Sequence, residues 1–480
     1  MVIILSLISG FLAYASFAPI GIWWCAPLSL AILIHLLDDG KLHRRLIATA
    51  IFGAAFFGPL LAWSNTYVGD VPWFFLTTLQ IVITLPLALI PMSRTRNLIF
   101  FPSLWVALEF ARGHFPFNGF GWGRLAFGQA DSPYSQLARF GGAPLISFFV
   151  ALVAIGLYLV FQRRIAVALT VLTSLAVLSL LAAGTRPALP PRNFSVLAVQ
   201  GGVPSLGLDF NSRATAVFEN HLKATSDYLD GHAFRPDAVL WPENSIDVDP
   251  FKDSIVRGQL QALSDKFHLP FIVGAVLQDG SHFQNASILW EPNIGPTSIY
   301  IKRHLTPFGE YIPLRRLAQI VSPYAKNVVD FVPGKKIVTH RIGRATFAPI
   351  ICFELLDDAS GRVMANRSNV FVVQTNSATF GRSAESNQQL GITRIRAIEH
   401  QRYLVSVSTS GISALVDPRG RVTDRTALDR SAVIATTIGL SNAQTISDRY
   451  GSPIEAILIL FPPFLGIVEA LRRPRRRWNQ

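Results

Sequence analysis

Three reactive side chains each stand at the end of a short apolar run of the sequence. They are Glu243, Lys302 and Cys352, and the runs before them are rich in Val, Ile, Leu and aromatic residues. Runs of this kind, bounded by Pro, Gly or Asn, predict β-strands. Since α/β folds place ligands and catalytic groups where their strands end, we expect the three side chains to serve one chemistry.

A thiol, a carboxylate and an ammonium group together can cleave an ester. The thiolate is the nucleophile, but a free cysteine with a pKa of about 8.5 is mostly protonated at neutral pH. Glu243 can accept that proton and later return one to a leaving group, while Lys302 stabilises the thiolate and then the oxyanion. This chemistry requires no cofactor. The 10 histidines show no ligand spacing, so we also predict no metal site.

Each of these residues has a purely structural explanation when it is taken alone. Cys352 follows an apolar run, where an isolated cysteine is commonly a buried core thiol. Glu243 fits a solvated turn, and Lys302 fits an exposed surface. The set of three in this order, with Glu310 and the second acid Glu354 nearby, favours the catalytic interpretation.

The segments that carry these residues belong to a region of mixed strands and helices between about residues 192 and 450. Helices are predicted over 253–267, where apolar residues recur every three or four positions, and over 385–402. The mixture predicts an α/β layered fold in which helices cover the sheet faces. The strand candidates are 194–200, 237–241, 270–276, 285–290, 298–302, 346–352, 369–374, 403–408, 412–417 and 432–438.

The rest of the chain is strongly apolar. Of its 480 residues 50% are hydrophobic and only 15% are charged, whereas soluble proteins carry about a quarter charged residues. Eight apolar blocks approach the roughly 20 residues needed to cross a bilayer. We expect a membrane domain of about seven helices (1–190), a catalytic domain (191–450) and a C-terminal transmembrane helix with a basic tail (451–480). The blocks are 2–18, 22–37, 46–63, 72–92, 97–112, 143–161, 165–184 and 452–471.

The positive charges of the chain predict its orientation. The formal net charge is +13, and Lys and Arg concentrate in alternate links between the apolar blocks and in the tail, as is typical of cytoplasmic segments. The region 191–450 is then outside the cytoplasm. No nucleic-acid-binding motif accompanies the charge, so we expect no nucleic-acid partner. The basic residues concerned are Lys41, Arg44, Arg45, Arg94, Arg96, Arg163, Arg164, Arg472, Arg473, Arg475, Arg476 and Arg477.

The segments around the three reactive residues resemble the Glu–Lys–Cys motifs of the carbon–nitrogen hydrolase (nitrilase) superfamily. They are residues 241–243, 300–302 and 351–354. With its eight apolar blocks, the whole chain is similar to the apolipoprotein N-acyltransferase family. The resemblance implies a nitrilase-like α-β-β-α sandwich beside a multi-pass helical domain of about eight spans in the bacterial plasma (inner) membrane. Further similar segments are 109–112, 119–123 and 136–142.

The resemblance implies a ping-pong acyl transfer in lipoprotein maturation. Cys352 would take an acyl chain from a membrane glycerophospholipid as a thioester, and the N-terminal amine of a diacylglyceryl-modified apolipoprotein would then accept it. Glu243 would be the base in both steps, and Lys302 would stabilise the oxyanion. Supporting or substrate-positioning roles are implied for Glu310, Phe353, Glu354, Asn376 and Thr379.

Three positions depart from the usual pattern of that family. Thr379 stands where a loop tryptophan is usual, Phe353 replaces a tyrosine after the nucleophile, and 409–411 reads Thr-Ser-Gly rather than Asn-Asn-Gly. Because none of them removes Glu243, Lys302 or Cys352, we expect effects on the lipid-contacting loop and on substrate preference.

Other functions compatible with the sequence stay open. A membrane-anchored nitrilase-type amidase would use the same three residues and pass the acyl group to water, but eight spans exceed what a tether requires. A catalytically reduced homologue would serve as a partner subunit, which the intact triad disfavours. A transporter is disfavoured because the apolar blocks show no clear inverted repeat.

Overall fold

A computed structural model describes residues 1–66, 69–92, 95–186, 188–206, 215–316, 319 and 329–472. Each of the seven N-terminal apolar blocks forms a helix in it. Arg94 and the basic tail after residue 472, which contributed to the predicted orientation, lie outside the described residues. The seven helices are α1 (Val2–Ala15), α2 (Cys25–Leu36), α3 (Leu42–Leu60), α4 (Asp70–Thr84), α5 (Thr95–His114), α6 (Ala138–Phe161) and α7 (Ile165–Gly184).

The number of membrane spans is supported only in part. Among the described residues, three helical stretches are long and apolar enough to cross a membrane: Asp70–Leu89, Ser135–Phe161 and Ile165–Gly184. Helices α1 and α2 are apolar but have only 14 and 12 residues, and α3 and α5 carry charged residues within their length. The total of about eight spans therefore stays a prediction.

The membrane helices pack closely around α6, which contacts α2, α5 and α7. Helices α1 and α3 approach each other backbone to backbone, because a Cβ atom at Gly10 would lie 2.4 Å from the carbonyl oxygen of Phe52. At the start of α6, Gly141 and Gly142 leave helical geometry, and Gly142 has a φ of 67°. This bend brings Gly142 against the catalytic domain, where a Cβ would meet Glu399 Oε1 at 2.6 Å.

In the described residues from 191 onward the chain forms two six-stranded sheets and five more helices. One sheet has the order β12-β1-β2-β3-β4-β5 and the other the order β11-β10-β9-β8-β7-β6. The strands are β1 (Arg192–Gln200), β2 (Ala238–Leu240), β3 (Phe271–Asp279), β4 (His282–Glu291), β5 (Gly295–Ile301), β6 (His340–Ile342), β7 (Ala345–Ile351), β8 (Val370–Thr375), β9 (Leu404–Ser408), β10 (Ala414–Val416), β11 (Val422–Arg425) and β12 (Ala432–Gly439). The helices are α8 (Ala216–Gly231), α9 (Ser254–Phe267), α10 (Asp358–Ala365), α11 (Glu385–His400) and α12 (Ile446–Arg472), which continues out of the domain.

The two sheets pack face to face between two helical layers. One apolar core joins residues of both sheets, such as Val196 and Ile272 of the first with Phe347 and Val405 of the second. A second core places α8 and α9 against the outer face of the first sheet. The third core joins α10, α11 and the outer face of the second sheet to the membrane helices. The domain is therefore the expected α-β-β-α sandwich, with its second helical layer against the membrane part.

The predicted strands are all present, within a few residues of their expected bounds. Helix α9 begins after Asp253, whose side chain accepts from the N–H groups of Ile255 and Val256. The prediction missed β6, β11, α8 and α10. Strands β6 and β11 have three and four residues and lie at sheet edges, so they have little room for the alternation that indicates a strand.

Candidate active site

A buried lysine between two carboxylates forms the centre of the candidate site. Lys302 follows β5 and is 1% exposed, and its Nζ lies 3.2 Å from Glu243 Oε1 and 2.9 Å from Glu310 Oε2. Strand β5 is antiparallel to β4, which is antiparallel to β3, and β2 is parallel to β3. The carboxyl ends of β2 and β5 therefore meet at one edge, which brings Glu243 and Lys302 together across 59 positions of sequence.

A side chain that the sequence did not single out holds the two carboxylates in place. Asn285 lies on β4, and its Nδ2 donates to Glu243 Oε1 at 2.6 Å and to Glu310 Oε1 at 2.9 Å. The backbone N–H of Lys302 donates to the carbonyl oxygen of Asn285 at 2.8 Å. The only sequence signal was a polar residue at the start of an apolar run, which is too common to be informative.

The other oxygen of Glu243 is bound by the second sheet. The backbone N–H of Asn376, just after β8, donates to Glu243 Oε2 at 2.9 Å. The Asn376 side-chain oxygen accepts from Ala378 N at 3.1 Å and from Thr409 Oγ1 at 2.8 Å. Asn376 therefore supports Glu243 through its backbone, while its side chain fixes the loop that leads to Thr379. Thr379 itself lies half-buried in the 3-10 turn Ala378–Phe380.

Cys352 stands at the sharp turn that follows β7. Its φ of 50° is rare for a residue other than glycine, and a 3-10 turn, Cys352–Leu356, begins at this residue. The thiol is partly buried, and Gln389 Nε2 of α11 lies 3.7 Å from its Sγ. Such local strain is found at functional sites more often than elsewhere.

Glu354 links the segment that carries Lys302 to the segment that carries Cys352. Its Oε1 accepts from the Tyr300 hydroxyl at 2.7 Å and from the N–H of Arg303 at 2.8 Å, and its Oε2 accepts from the N–H of Ile351 at 2.9 Å. These contacts are to the segments on both sides of the site. They connect the two segments, and they give both oxygens of the buried carboxylate hydrogen-bond donors.

Burial and the neighbouring charges shift the pKa values of the three candidate residues. Burial raises the pKa of Glu243 above 4.5, although Lys302 opposes the shift. Burial and the charge of Glu243 raise the pKa of the Cys352 thiol well above 9.0, again against Lys302. Burial alone would lower the pKa of Lys302, but Glu243 and Glu310 raise it above 10.5. At rest Cys352 is therefore a protonated thiol and Lys302 a charged ammonium group, and the Glu243 carboxylate is more basic than an ordinary glutamate.

Phe353 connects the site to the membrane domain. It is 4% exposed, and its ring lies 5.6 Å from the ring of Phe120 in the loop after α5 and 5.6 Å from that of His304. Nearby, the Nε1 atoms of Trp63 and Trp122 both donate to Gln388 Oε1, at 3.1 and 2.7 Å. Residues of the membrane domain therefore enclose part of the turn that carries Cys352.

Four large or charged side chains of the membrane part are buried inside the protein. Trp63 and Trp122 lie at the junction with the catalytic domain, so they do not act as anchors at the membrane surface. Glu109 and Arg112 do not form a pair, although their spacing of three on α5 would allow it. Glu109 accepts from Trp105 Nε1 and Leu125 N, and Arg112 donates to Gln80 Oε1 and to backbone carbonyls.

Within the described part of the chain, no group of three or more His, Cys, Asp or Glu could hold a metal ion.

Comparisons with known proteins identify the family. Residues 9–156 match the model of the apolipoprotein N-acyltransferase N-terminal domain, and residues 212–448 match that of carbon-nitrogen hydrolase. A Mycolicibacterium smegmatis protein named apolipoprotein N-acyltransferase is 34% identical over 94% of this chain and 82% of its own length. A Geobacter metallireducens protein of the same name is 28% identical over 93% and 91%. An amidase structure from Nesterenkonia is similar with a TM-score of 0.41 and 14% identity, over 56% of this chain and 98% of its own. The chain belongs to the apolipoprotein N-acyltransferase family.

Proposed function

We propose that this protein transfers an acyl chain from a membrane glycerophospholipid, through a thioester on Cys352, to the N-terminal amine of a diacylglyceryl-cysteine apolipoprotein. The observation that carries the proposal is the buried Lys302, held by Glu243 and Glu310 within 3.2 Å, at a site that contains the Cys352 turn and is enclosed by the membrane domain. The named relatives support the choice of substrates.

In the first half-reaction Glu243 takes the proton of the Cys352 thiol as the sulfur attacks the ester carbonyl. The Lys302 ammonium faces the negative charge that develops on the carbonyl oxygen, in a site from which water is largely excluded. Collapse of the tetrahedral intermediate breaks the carbon–oxygen bond. Glu243 returns its proton to the departing oxygen, so that a lysophospholipid leaves and a thioester remains.

In the second half-reaction the acceptor amine attacks the thioester carbonyl. A carbon–nitrogen bond forms and the carbon–sulfur bond breaks, with Lys302 again beside the oxyanion. Glu243 takes a proton from the nitrogen and delivers it to the Cys352 sulfur, which restores the thiol. Asn285 and Asn376 position Glu243 for both proton transfers because they bind its two oxygens.

We also propose that the catalytic domain (191–450) lies at the outer face of the bacterial plasma membrane. The short links that carry Lys and Arg would be cytoplasmic, and α12 would return the chain to the cytoplasm. Both substrates keep acyl chains in the bilayer. A site held at its surface avoids lifting those chains into water, which costs about 0.8 kcal/mol per CH₂ group.

Mass spectrometry of the purified protein in phospholipid micelles tests the proposal. We expect the mass of one acyl chain on Cys352, absent from Cys352→Ala and present in Cys25→Ala, since Cys25 is a buried residue of the membrane helix α2. Turnover of small amides without a lipid acyl adduct would instead indicate an amidase. A protein that does neither would be a catalytically reduced homologue, and either result would overturn the proposal.

A further inference from the structure

A second buried carboxylate lies near the nucleophile and has no part in the mechanism above. Glu385 is the first residue of α11 and is 2% exposed. Its charge interacts with both Cys352 and Glu243. Gln389 follows it by four positions on the same helix, and residues at this spacing share a helix face. Because Gln389 Nε2 is 3.7 Å from Cys352 Sγ, Glu385 lies about one helical turn from the thiol.

The partners of Glu385 differ from those of the other buried carboxylates. Its oxygens are bound by hydroxyl groups, those of Ser386 (3.1 Å) and Ser377, and no Lys, Arg or His pairs with it in the described part of the chain. Glu243 and Glu310 share Lys302, whereas Glu354 is bound by the Tyr300 hydroxyl together with backbone N–H groups. Burying a carboxylate without a cation is costly, so this position is suited to a cation that comes from outside the chain.

The surrounding loops hold the two serines in place. A Cβ atom at Gly411 would lie 2.6 Å from Ser377 Oγ and 2.7 Å from Ser386 Oγ. Only glycine therefore allows these hydroxyls to close around Glu385. Ser377 directly follows Asn376, whose N–H binds Glu243, so Glu385 is linked to the general base on one side and to the nucleophile on the other.

We propose that Glu385 binds the α-ammonium group of the acceptor and removes its proton before the amine attacks the thioester. The inference rests on the proposed function and assigns a residue to its second half. An N-terminal ammonium has a pKa of about 7.7–8.0 and cannot attack while protonated. One proton passes from that ammonium to the Glu385 carboxylate and then to solvent. The proton that the nitrogen loses on forming the amide goes through Glu243 to the Cys352 sulfur.

The basicity of Glu385 fits this task. Burial raises the pKa of its carboxyl to about 7, although hydrogen bonds from the serine hydroxyls oppose the shift. Proton transfer is efficient when the pKa of the base is close to that of the acid and to the working pH. A solvent-exposed glutamate, with a pKa of about 4.3, would bind the ammonium but would not deprotonate it readily.

Separate measurement of the two half-reactions tests the assignment. The protein is acylated with phosphatidylethanolamine in mixed micelles, and Cys352 acylation is followed by mass spectrometry. The acyl-enzyme is then mixed with a synthetic peptide that has a free N-terminal S-diacylglyceryl-cysteine. For Glu385→Gln we expect acylation within about twofold of the wild type and transfer slowed about a hundredfold near pH 7. Glu219→Gln, at an exposed glutamate of α8, should change neither step.

Two further readouts distinguish an acceptor site from a structural role. The difference in transfer rate between Glu385→Gln and the wild type should decrease toward about pH 9, where the acceptor amine is mostly neutral. Hydroxylamine, a nucleophile that is neutral at pH 7, should cleave the thioester of the variant at the wild-type rate. Wild-type transfer rates in the variant at pH 7, or a loss of acylation equal to the loss of transfer, would overturn the assignment.

The outcomes also separate this inference from the proposed function. A wild-type protein that never forms the acyl-enzyme contradicts the proposed function itself, whatever Glu385 does. If Glu385→Gln does not yield folded protein, Ser386→Ala keeps the carboxylate and removes one of its hydroxyl partners. That variant should acylate normally and transfer more slowly, and equal effects on the two steps would overturn the assignment.

Discussion

Replacing Lys302 by methionine tests whether this ammonium is needed to hold the site together. The substitution keeps an unbranched side chain but leaves Glu243 and Glu310, which now lie within 3.2 Å of Nζ, without a cation. Removing one partner of a buried ion pair costs about 3–5 kcal/mol. For a domain of this size each kcal/mol lowers the melting temperature by about 2–4 °C, so we expect a decrease of roughly 6 to 20 °C.

The loss of stability should depend on pH. Burial already raises the pKa of Glu243 and Lys302 lowers it, so the pKa of this carboxyl rises further in Lys302→Met. A carboxyl whose pKa is higher in the folded state than in the unfolded state destabilises the fold above its folded-state pKa, and the penalty disappears as it becomes protonated. The difference in melting temperature should therefore shrink from about pH 7 toward about pH 5.

The assay is thermal unfolding in detergent, followed by tryptophan fluorescence, together with Cys352 acylation. The matched control is Lys266→Met, which removes an ion pair of 2.8 Å between half-exposed side chains and should cost less than about 1 kcal/mol. Acylation should fall about 10²–10³-fold in Lys302→Met because the oxyanion loses its stabilising charge. Equal melting shifts in the two variants, or a Lys302→Met shift that does not change with pH, would refute this reasoning.

Three other expectations follow from contacts of the site. Glu354→Gln should slow acylation by at least about tenfold and should destabilise the protein less than Lys302→Met does. The reason is that an amide cannot accept from N–H and O–H donors at both of its ends. Unchanged single-turnover acylation would contradict this role. Gln388→Leu leaves the indole N–H groups of Trp63 and Trp122 without their acceptor and should cost about 1–3 kcal/mol for each buried donor, measured as a lower melting temperature. Gln388→Glu should retain both indole contacts and lose the hydrogen bond from Nε2 to the Leu60 carbonyl oxygen. The rate of acylation should rise as pH increases through the folded-state pKa of Glu243, which lies above 4.5, and a pH-independent rate between about pH 4 and 8 would exclude this carboxylate as the base.

The segments that carry the candidate site could be predicted from sequence because their signals are local. Glu243, Lys302 and Cys352 follow apolar runs that form β2, β5 and β7, and strand ends are where α/β folds place reactive groups. Asn285 could not be found in this way. It lies within β4, and its importance comes only from contacts with Glu243 and Glu310, which are 42 and 25 positions away.

In the membrane part the sequence predicted where the helices lie but not which side chains contact one another. Hydropathy located its helices well, since a long apolar run is a local property. It could not show which aromatic residues face lipid and which face protein. Trp63 and Trp122, for example, face protein because they contact Gln388, which is 325 and 266 positions away.

The sequence by itself determined the apolar segments, most of the strands and the three candidate reactive residues, because hydrophobic periodicity and residue chemistry are local properties. Only the tertiary structure decided which side chains meet. Glu243 and Lys302 come from one sheet and Cys352 and Asn376 from the other, so the site exists only when the two sheets pack face to face. The same packing isolates Glu385 from any cation of the described chain, and this is a property of the environment rather than of the residue.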